Sequence, residues 1–288
     1  MRELTVYDVR CLPGDSGFLL DDGETSILVD SGFGFTGYRI ADNIKKVLGE
    51  RKLDYIFLTH SHYDHALGSA YILRRYPGAV VVAGSYAASI FPRSGALRVM
   101  RELDGKFAAE CGAGDYEFLG EELRVDVPAE DGDVIHAGSM DFQVINLPGH
   151  TKCSVGYYCA ARRMLIATES LGVYDGAEGI VPSYLVSYED VLRSVERMEA
   201  LEIETMLSPH YGLLSGEQTA FFLKNAGRCA AEGREFLLDL AAKGKDDEEM
   251  FIAFREKYGN EYILSIYPDA AMRVNTQIMV DMLKRTAP

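Results

Sequence analysis

Short apolar runs broken by Gly, Pro and Asp occupy the first two-thirds of the chain, and longer runs with apolar residues at helical spacing occupy the rest. Leu4–Arg10, Phe18–Leu20 and Ser26–Val29 read as strands, separated by the turn signals Pro13-Gly14-Asp15 and Asp21-Asp22-Gly23. Ile40, Ile44, Val47 and Leu48 predict a helix over Thr36–Leu48. Tyr55–Leu58 is wholly apolar, as expected of a strand covered on both faces, and Ala79–Ala83 has the same character. Between them Ala66–Arg75 reads as a helix. A further helix is expected around Leu97–Leu103, before the glycine-rich stretch Cys111–Gly114.

A second set of strands follows at Val134–His136, Phe142–Leu147, Ser154–Cys159, Met164–Thr168 and Thr205–Ser208. Tyr188–Leu201 is helical, with Val191, Leu192, Val195 and Met198 on one face. From Gly216 the character changes. Glu217–Lys243, Asp246–Tyr258 and Ala270–Arg285 are three helical patterns with no strand between them. The acidic run Asp246-Asp247-Glu248-Glu249 suits a helix N-terminus, where the macrodipole favours negative charge. This places a boundary near Ser215, between an α/β body (1–215) and a helical extension (216–288). The extension carries apolar stripes, such as Met250, Phe251 and Phe254, that need a surface to bury against. It is expected to cap the body's site, and a homodimerisation role stays open.

Charge removes several functions. Lys+Arg is 29 against Asp+Glu 44, a net −15, and no basic run offers a local patch. Such a field repels polyanions, so no nucleic-acid partner is expected. No stretch of about 18 apolar residues is present and the N-terminus has no apolar signal core, so neither a membrane span nor export is expected. The five cysteines are odd in number and scattered, and read as reduced thiols of a cytoplasmic protein.

Candidate chemistry concentrates in residues 59–65, Thr-His-Ser-His-Tyr-Asp-His. His60, His62, Asp64 and His65 put four potential metal ligands within six residues, directly after a buried strand, and three of the chain's six histidines lie here. His150 ends Leu-Pro-Gly-His-Thr, His210 ends Leu-Ser-Pro-His-Tyr-Gly, and Glu169 follows the run Met164–Ala167. Each therefore lies just past the C-terminal end of an apolar strand, where α/β sheets present their sites. His136 has no such setting and reads as structural. Asp30, in Val29-Asp30-Ser31-Gly32, is either an acceptor for a ligand histidine's other N–H or a turn-former. Thr59 and Thr151 flank ligands and satisfy backbone groups. Cys153 reads as a small buried thiol. Tyr184, Tyr188 and Tyr211 are either pocket-lining or core aromatics.

The motif His60-x-His62-x-Asp64-His65, with His150, an acidic residue at 169, His210 and Ile27–Gly32, resembles the metallo-β-lactamase-fold hydrolase superfamily. The resemblance implies a four-layer αββα sandwich with two divalent metal ions. His60, His62 and His150 would hold one metal and Asp64, His65 and His210 the other, with residue 169 bridging. The superfamily usually has Asp at the bridging position. Glu169 is one methylene longer, so it either folds back to bridge or is not a ligand. Tyr63, Ser94–Val99, Tyr174–Gly179, Ser208–Leu214 and the helical tail are similar in order to PqsE-type proteins, thioesterase-like hydrolases linked to alkylquinolone signalling whose C-terminal helices wall the active site.

Imidazole and carboxylate ligands admit Zn, Fe or Mn, with Zn placed first. Two such ions would acidify a shared water, and Asp64 would both ligate and orient the resulting hydroxide. The leading expectation is a binuclear metal-dependent hydrolase that attacks a small acyl thioester. A phosphodiesterase, a glyoxalase II-like hydrolase, and a signalling protein acting mainly through partners are the alternatives.

Overall fold

The computed structural model describes residues 2–286, which gather into two compact units. One holds the chain up to Asn146 together with Val155–Arg162; the other holds Leu147–Ser154 and the chain from Arg163 onward. The stretch 163–215 and the helical segment after it thus belong to the same unit.

In the first unit, β1 (Thr5–Asp8), β2 (Phe18–Asp21), β3 (Ser26–Val29), β4 (Tyr55–Leu58), β5 (Val80–Gly84) and β6 (Val127–Ala129) form one sheet in sequence order. β1, β2 and β3 pair antiparallel, and β3 to β6 pair parallel. β3, β4 and β5 carry the run of buried Val, Ile, Leu and Phe that a doubly covered sheet needs. α1 (Gly37–Leu48) buries Ile40, Ala41, Ile44 and Leu48 along one stripe. The helix expected over Ala66–Arg75 is two, α2 (Tyr63–Ala66) and α3 (Gly68–Arg75), meeting at Leu67. Helical backbone therefore begins inside the histidine motif. The region after β5 is helical over α4 (Ser85–Ile90) and α5 (Ser94–Glu110), a longer stretch than its weak apolar periodicity suggests. β7 (Val134–Ala137), β8 (Met140–Asn146) and β9 (Val155–Cys159) form an antiparallel meander. Phe57 packs on Phe142 at 5.3 Å and on Tyr157 at 4.7 Å, and Tyr157 Oη donates to Leu58 O at 2.8 Å, fixing the end of β4.

In the second unit, β10 (Met164–Ile166) pairs parallel with β13 (Thr205–Ser208), which pairs antiparallel with β14 (Gly212–Ser215). A two-stranded ribbon joins β11 (Val173–Tyr174) to β12 (Ile180–Val181). The ribbon strands are two residues each and β14 is Gly-Leu-Leu-Ser, so neither announces itself by alternation. α6 (Tyr188–Glu199) starts on Ser187, whose side chain accepts from Asp190 N. Its buried face is Val191, Ser194, Val195 and Met198, with Leu192 half-buried at the edge. Among the described residues the tail is four helices rather than three: α7 (Glu217–Ala242), α8 (Asp247–Tyr258), α9 (Glu261–Ile266) and α10 (Asp269–Thr286). A full capping box between Asp246 and Glu249 opens α8. Among the described residues no helix is long and apolar enough to cross a membrane, and no disulfide links the five cysteines.

α5 carries one buried acid, Asp104, beneath the aromatic group Phe33, Phe35 and Phe107. It accepts from Gly34 N at 3.0 Å and from Tyr116 Oη. Burial outweighs these bonds and pushes its carboxyl up to about 6. The folded chain then keeps a proton that the unfolded chain loses between about pH 4 and 6, so stability should fall as pH rises through that window. Asp104→Asn mimics the neutral acid and keeps an acceptor for Gly34 N. It should flatten the slope and stabilise the protein at pH 7 by up to about 3 kcal/mol. Urea unfolding from pH 4.5 to 7.5 checks this; a variant with the parent slope would refute it.

Candidate metal centre

In the first unit the chain leaves β4 at Leu58 and turns at once into Thr59 and the three histidines. His60 and His65 are fully buried, while His62 and Asp64 are partly exposed. The His60 ring lies 4.6 Å from that of His62 and 4.0 Å from that of His65. Three imidazoles this close would repel one another if all were cationic, and the neutral ring is the form that ligates metal. Two rings are held by Nδ1: His60 against Thr59 Oγ1 at 3.0 Å, and His65 against Asp30 Oδ2 at 2.8 Å. In both, Nε2 is the nitrogen on the far side. Asp64 Oδ2 is 3.7 Å from His65 Nε2.

Asp30 is the base of this half. It closes β3 in left-handed backbone (φ 53°), with its N–H bonded to Phe57 O at 2.8 Å. Its carboxylate also accepts from Thr59 N at 2.8 Å, Thr59 Oγ1 at 2.9 Å and Ser16 Oγ at 3.1 Å. Burial alone would raise its pKa. The charge and hydrogen bond of His65, with His60 behind, outweigh burial and hold the carboxyl below its ordinary value. Ser31 then fixes the far end of the motif: its N–H and hydroxyl bond His65 O at 2.7 and 2.8 Å.

In the second unit His150 sits on the loop after Leu147. Gly149 precedes it with φ 129°, and a Cβ there would lie 2.7 Å from Val191 N, so only glycine lets the loop press against α6. His150 N donates to Ser170 Oγ at 3.0 Å, and its Nδ1 lies 2.8 Å from Ser183 Oγ and 3.0 Å from Ser183 O. Glu169 opens a 3₁₀ turn just past β10 and is buried. Its Oε2 is 2.9 Å from His150 Nε2, and its Oε1 is 3.5 Å from His210 Nε2. His210 caps the β13–β14 hairpin in left-handed backbone, φ 61°. The Glu169 carboxylate thus lies within 3.5 Å of both imidazoles. Ligand atoms about 3.3 Å apart are what a tetrahedral ion with ~2.0 Å bonds requires, so this donor set suits a borderline divalent ion.

A model of the metallo-β-lactamase superfamily matches residues 9–210. The chain belongs to that superfamily. It has the mixed α/β metallo-β-lactamase fold with a C-terminal helical region. A UPF0173 metal-dependent hydrolase of Heliobacterium modesticaldum is 33% identical over 93 residues, 32% of this chain and 37% of its own length. A hydroxyacylglutathione hydrolase of Cereibacter sphaeroides is 26% identical over 209 residues, 71% of this chain and 65% of its own. The matches thus span less than two thirds of these relatives. Among solved structures, a metallo-β-lactamase family protein of Thermus thermophilus aligns with TM-score 0.60 at 19% identity, covering 98% of this chain and 93% of its own. An archaeal superfamily protein of Sulfolobus tokodaii aligns with TM-score 0.58 at 18% identity, covering 99% and 100%.

The other singled-out residues fall as follows. His136 is exposed on β7 and pairs with Asp141 at 2.7 Å. Thr151 bonds Ser154 Oγ at 2.7 Å and Cys153 Sγ at 3.2 Å, and Cys153 is buried. Tyr184 is fully buried, edge-on to Tyr188 at 5.5 Å. Tyr211 is half-buried, 4.8 Å from the Tyr174 ring, and its Oη accepts from Gln218 Nε2 at 3.0 Å. Sequence reasoning missed Ser170 and Ser183, which hold His150, and Tyr262 and Tyr267. Tyr267 Oη donates to Glu169 Oε1 at 2.6 Å and Tyr262 Oη to His210 O at 2.7 Å. No residue-type signal marks them, because serines and tyrosines at loop and helix ends are common.

Asp30→Asn tests the first half. Asparagine tolerates left-handed backbone but turns an amide NH₂ toward one of the donors that Asp30 now accepts. Facing His65 Nδ1, it drives that ring to the tautomer protonated at Nε2. Metal affinity should fall by roughly 10–100-fold with the fold retained, read by chelator competition alongside circular dichroism. Parent-like affinity would remove Asp30 from the network that orients His65.

Proposed function

We propose that the chain is a binuclear metal-dependent hydrolase of small acyl thioesters. We assign His60, His62 and His150 to one divalent ion, Asp64, His65 and His210 to the other, and Glu169 to both, since each side chain offers an imidazole nitrogen or carboxylate oxygen. The observation that carries the assignment is the fixing of ring orientation: Nδ1 of His60, His65 and His150 is held by Thr59, Asp30 and Ser183, leaving Nε2 for the ion. We assign Zn first, with Fe or Mn admitted by the same donors. Bound, the ions would supply a Lewis acid for the scissile carbonyl and lower the pKa of water.

The chain's own groups do the rest. Asp64, whose side chain is 18% exposed, accepts a hydrogen bond from the attacking water and takes its proton at a carboxylate oxygen. A thioester releases a thiolate, which leaves without protonation, so the reaction needs no further acid. The hydroxyacylglutathione hydrolase relatives make a glutathione thioester one arm of the substrate class. The segment order shared with PqsE-type proteins supports the same bond type. It also supports residues 1–215 as catalytic body and 216–288 as a cap that shapes the acyl pocket, the whole acting on a small molecule in the cytoplasm.

The test is a hydrolysis panel on purified, metal-analysed protein: aromatic and medium-chain acyl-CoAs, S-lactoylglutathione, a bis-aryl phosphodiester and cyclic nucleotides. Thioesters should give the highest kcat/KM, with aryl phosphodiester cleavage weaker. If a protein with two ions per chain leaves every thioester intact yet turns over a cyclic nucleotide, the assignment passes to phosphodiesterase. Glu169→Gln should lower metal affinity and turnover by at least about tenfold; undiminished zinc content and rate would exclude Glu169 as a ligand.

A further inference from the structure

The segment Asn260–Tyr267, α9 with its flanking residues, lies beyond the part of the chain that matches the superfamily model, which ends at residue 210. Two of its side chains nonetheless donate to the second unit's candidate ligand residues, and a third donates to the turn between β11 and β12. Asn260 caps α9 with its Oδ1 and sends Nδ2 to Asp175 O at 2.9 Å. Tyr262 Oη bonds His210 O at 2.7 Å, and its ring meets Tyr211 edge-on at 5.5 Å. Tyr267 follows the last turn of α9, lies 5.8 Å from the His210 ring, and bonds Glu169 Oε1 at 2.6 Å.

The two tyrosine contacts each answer a specific weakness of the half-site. His210 has a side chain in left-handed backbone, which is unfavourable for a residue other than glycine. A hydrogen bond to its own carbonyl opposes relaxation of that peptide. Glu169 has one more rotatable bond than an aspartate, so its carboxylate has more orientations to lose when it ligates. The Tyr267 phenol removes that freedom: with Oε1 held by the phenol, Oε2 stays 2.9 Å from His150 Nε2.

We infer that Tyr267 is a positioning residue for metal binding, which acts through Glu169 by locking its carboxylate between His150 and His210, with Tyr262 steadying His210 from the same strap. The inference rests on the assignment of Glu169 as a ligand. It makes the helical extension part of the metal centre's support, and it explains how a glutamate stands where the superfamily usually has the shorter acid.

The experiment measures zinc dissociation constants by competition with a chromophoric chelator, on the full chain, for the parent, Tyr267→Phe, Glu169→Gln and the double variant. Tyr267→Phe should weaken zinc binding roughly 10–100-fold, as loss of a group that orients a ligand does. In the Glu169→Gln background the same change should do little further, because the phenol acts through that carboxylate. Parent-like zinc affinity in Tyr267→Phe, or losses that multiply in the double variant, would overturn the inference. Glu169→Gln binding zinc like the parent would instead overturn the ligand assignment, which separates the two failures. If Tyr267→Phe does not fold, Tyr267→Gln and Tyr267→Met carry the comparison as a donor against a similarly sized non-donor. Tighter zinc binding by the Gln variant is expected, and equal affinities refute the role.

Discussion

A buried carboxylate, Asp30, constrains everything at the ends of β3 and β4. An ionised acid removed from water costs several kcal/mol unless its oxygens are satisfied. Here they accept from Thr59 N, Thr59 Oγ1, Ser16 Oγ and the His65 ring. Those donors stand at fixed places because β3 and β4 pair in parallel register, Val29 opposite Phe57, which puts residues 30 and 59 at the same sheet edge. The neighbouring Ser31 takes His65 O through both its N–H and hydroxyl. The strand pairing, the left-handed turn at Asp30 and the start of α2 are therefore one arrangement, and the histidine rings inherit their orientation from it.

The second unit reaches the same end by different means. Its central acid, Glu169, lies between two imidazoles instead of beneath one, and a phenol supplies the neutral donor. His150 is held by a serine hydroxyl and carbonyl at residue 183 where His65 has a carboxylate. A neutral acceptor raises ring basicity less than a carboxylate does, so the two half-sites present imidazoles of unequal donor strength. For His60, His65 and His150 the group that holds Nδ1 belongs to the same unit as the ring.

The histidines and Asp30 were legible in the sequence because their signal is density and place: three histidines and an acid in six residues after a wholly apolar strand, and an acid before Ser-Gly after another. Strands β3, β4 and β13 were legible to the residue, since each centres on a compact apolar pair or run whose neighbours break the pattern. α9 was not. Its six residues between Asn260 and Tyr267-Pro268 hold too few turns to show a period, and tertiary burial of Ile263 and Ile266 decides its conformation. Ser183 and Tyr267 escaped for a related reason. Their residue types fit a loop or a helix end equally well, and their roles come from where tertiary packing carries them.

The same distribution of roles narrows the chemistry open to the site. Of the six histidines, five are in the candidate ligand set, and the sixth, His136, is exposed on β7 and engaged with Asp141. The phenol nearest the proposed ligands, Tyr267, already donates its proton to Glu169, and Tyr262 donates to a backbone carbonyl. A leaving group that must be protonated as it departs would compete for these committed groups or for the proton that Asp64 is proposed to take from water. A thiolate, stable unprotonated near neutral pH, makes no such demand. In the proposed reaction the energetic burden then falls on polarising the carbonyl and delivering the nucleophile, which is work that ions held by a rigidly oriented set of imidazoles and carboxylates would be suited to do.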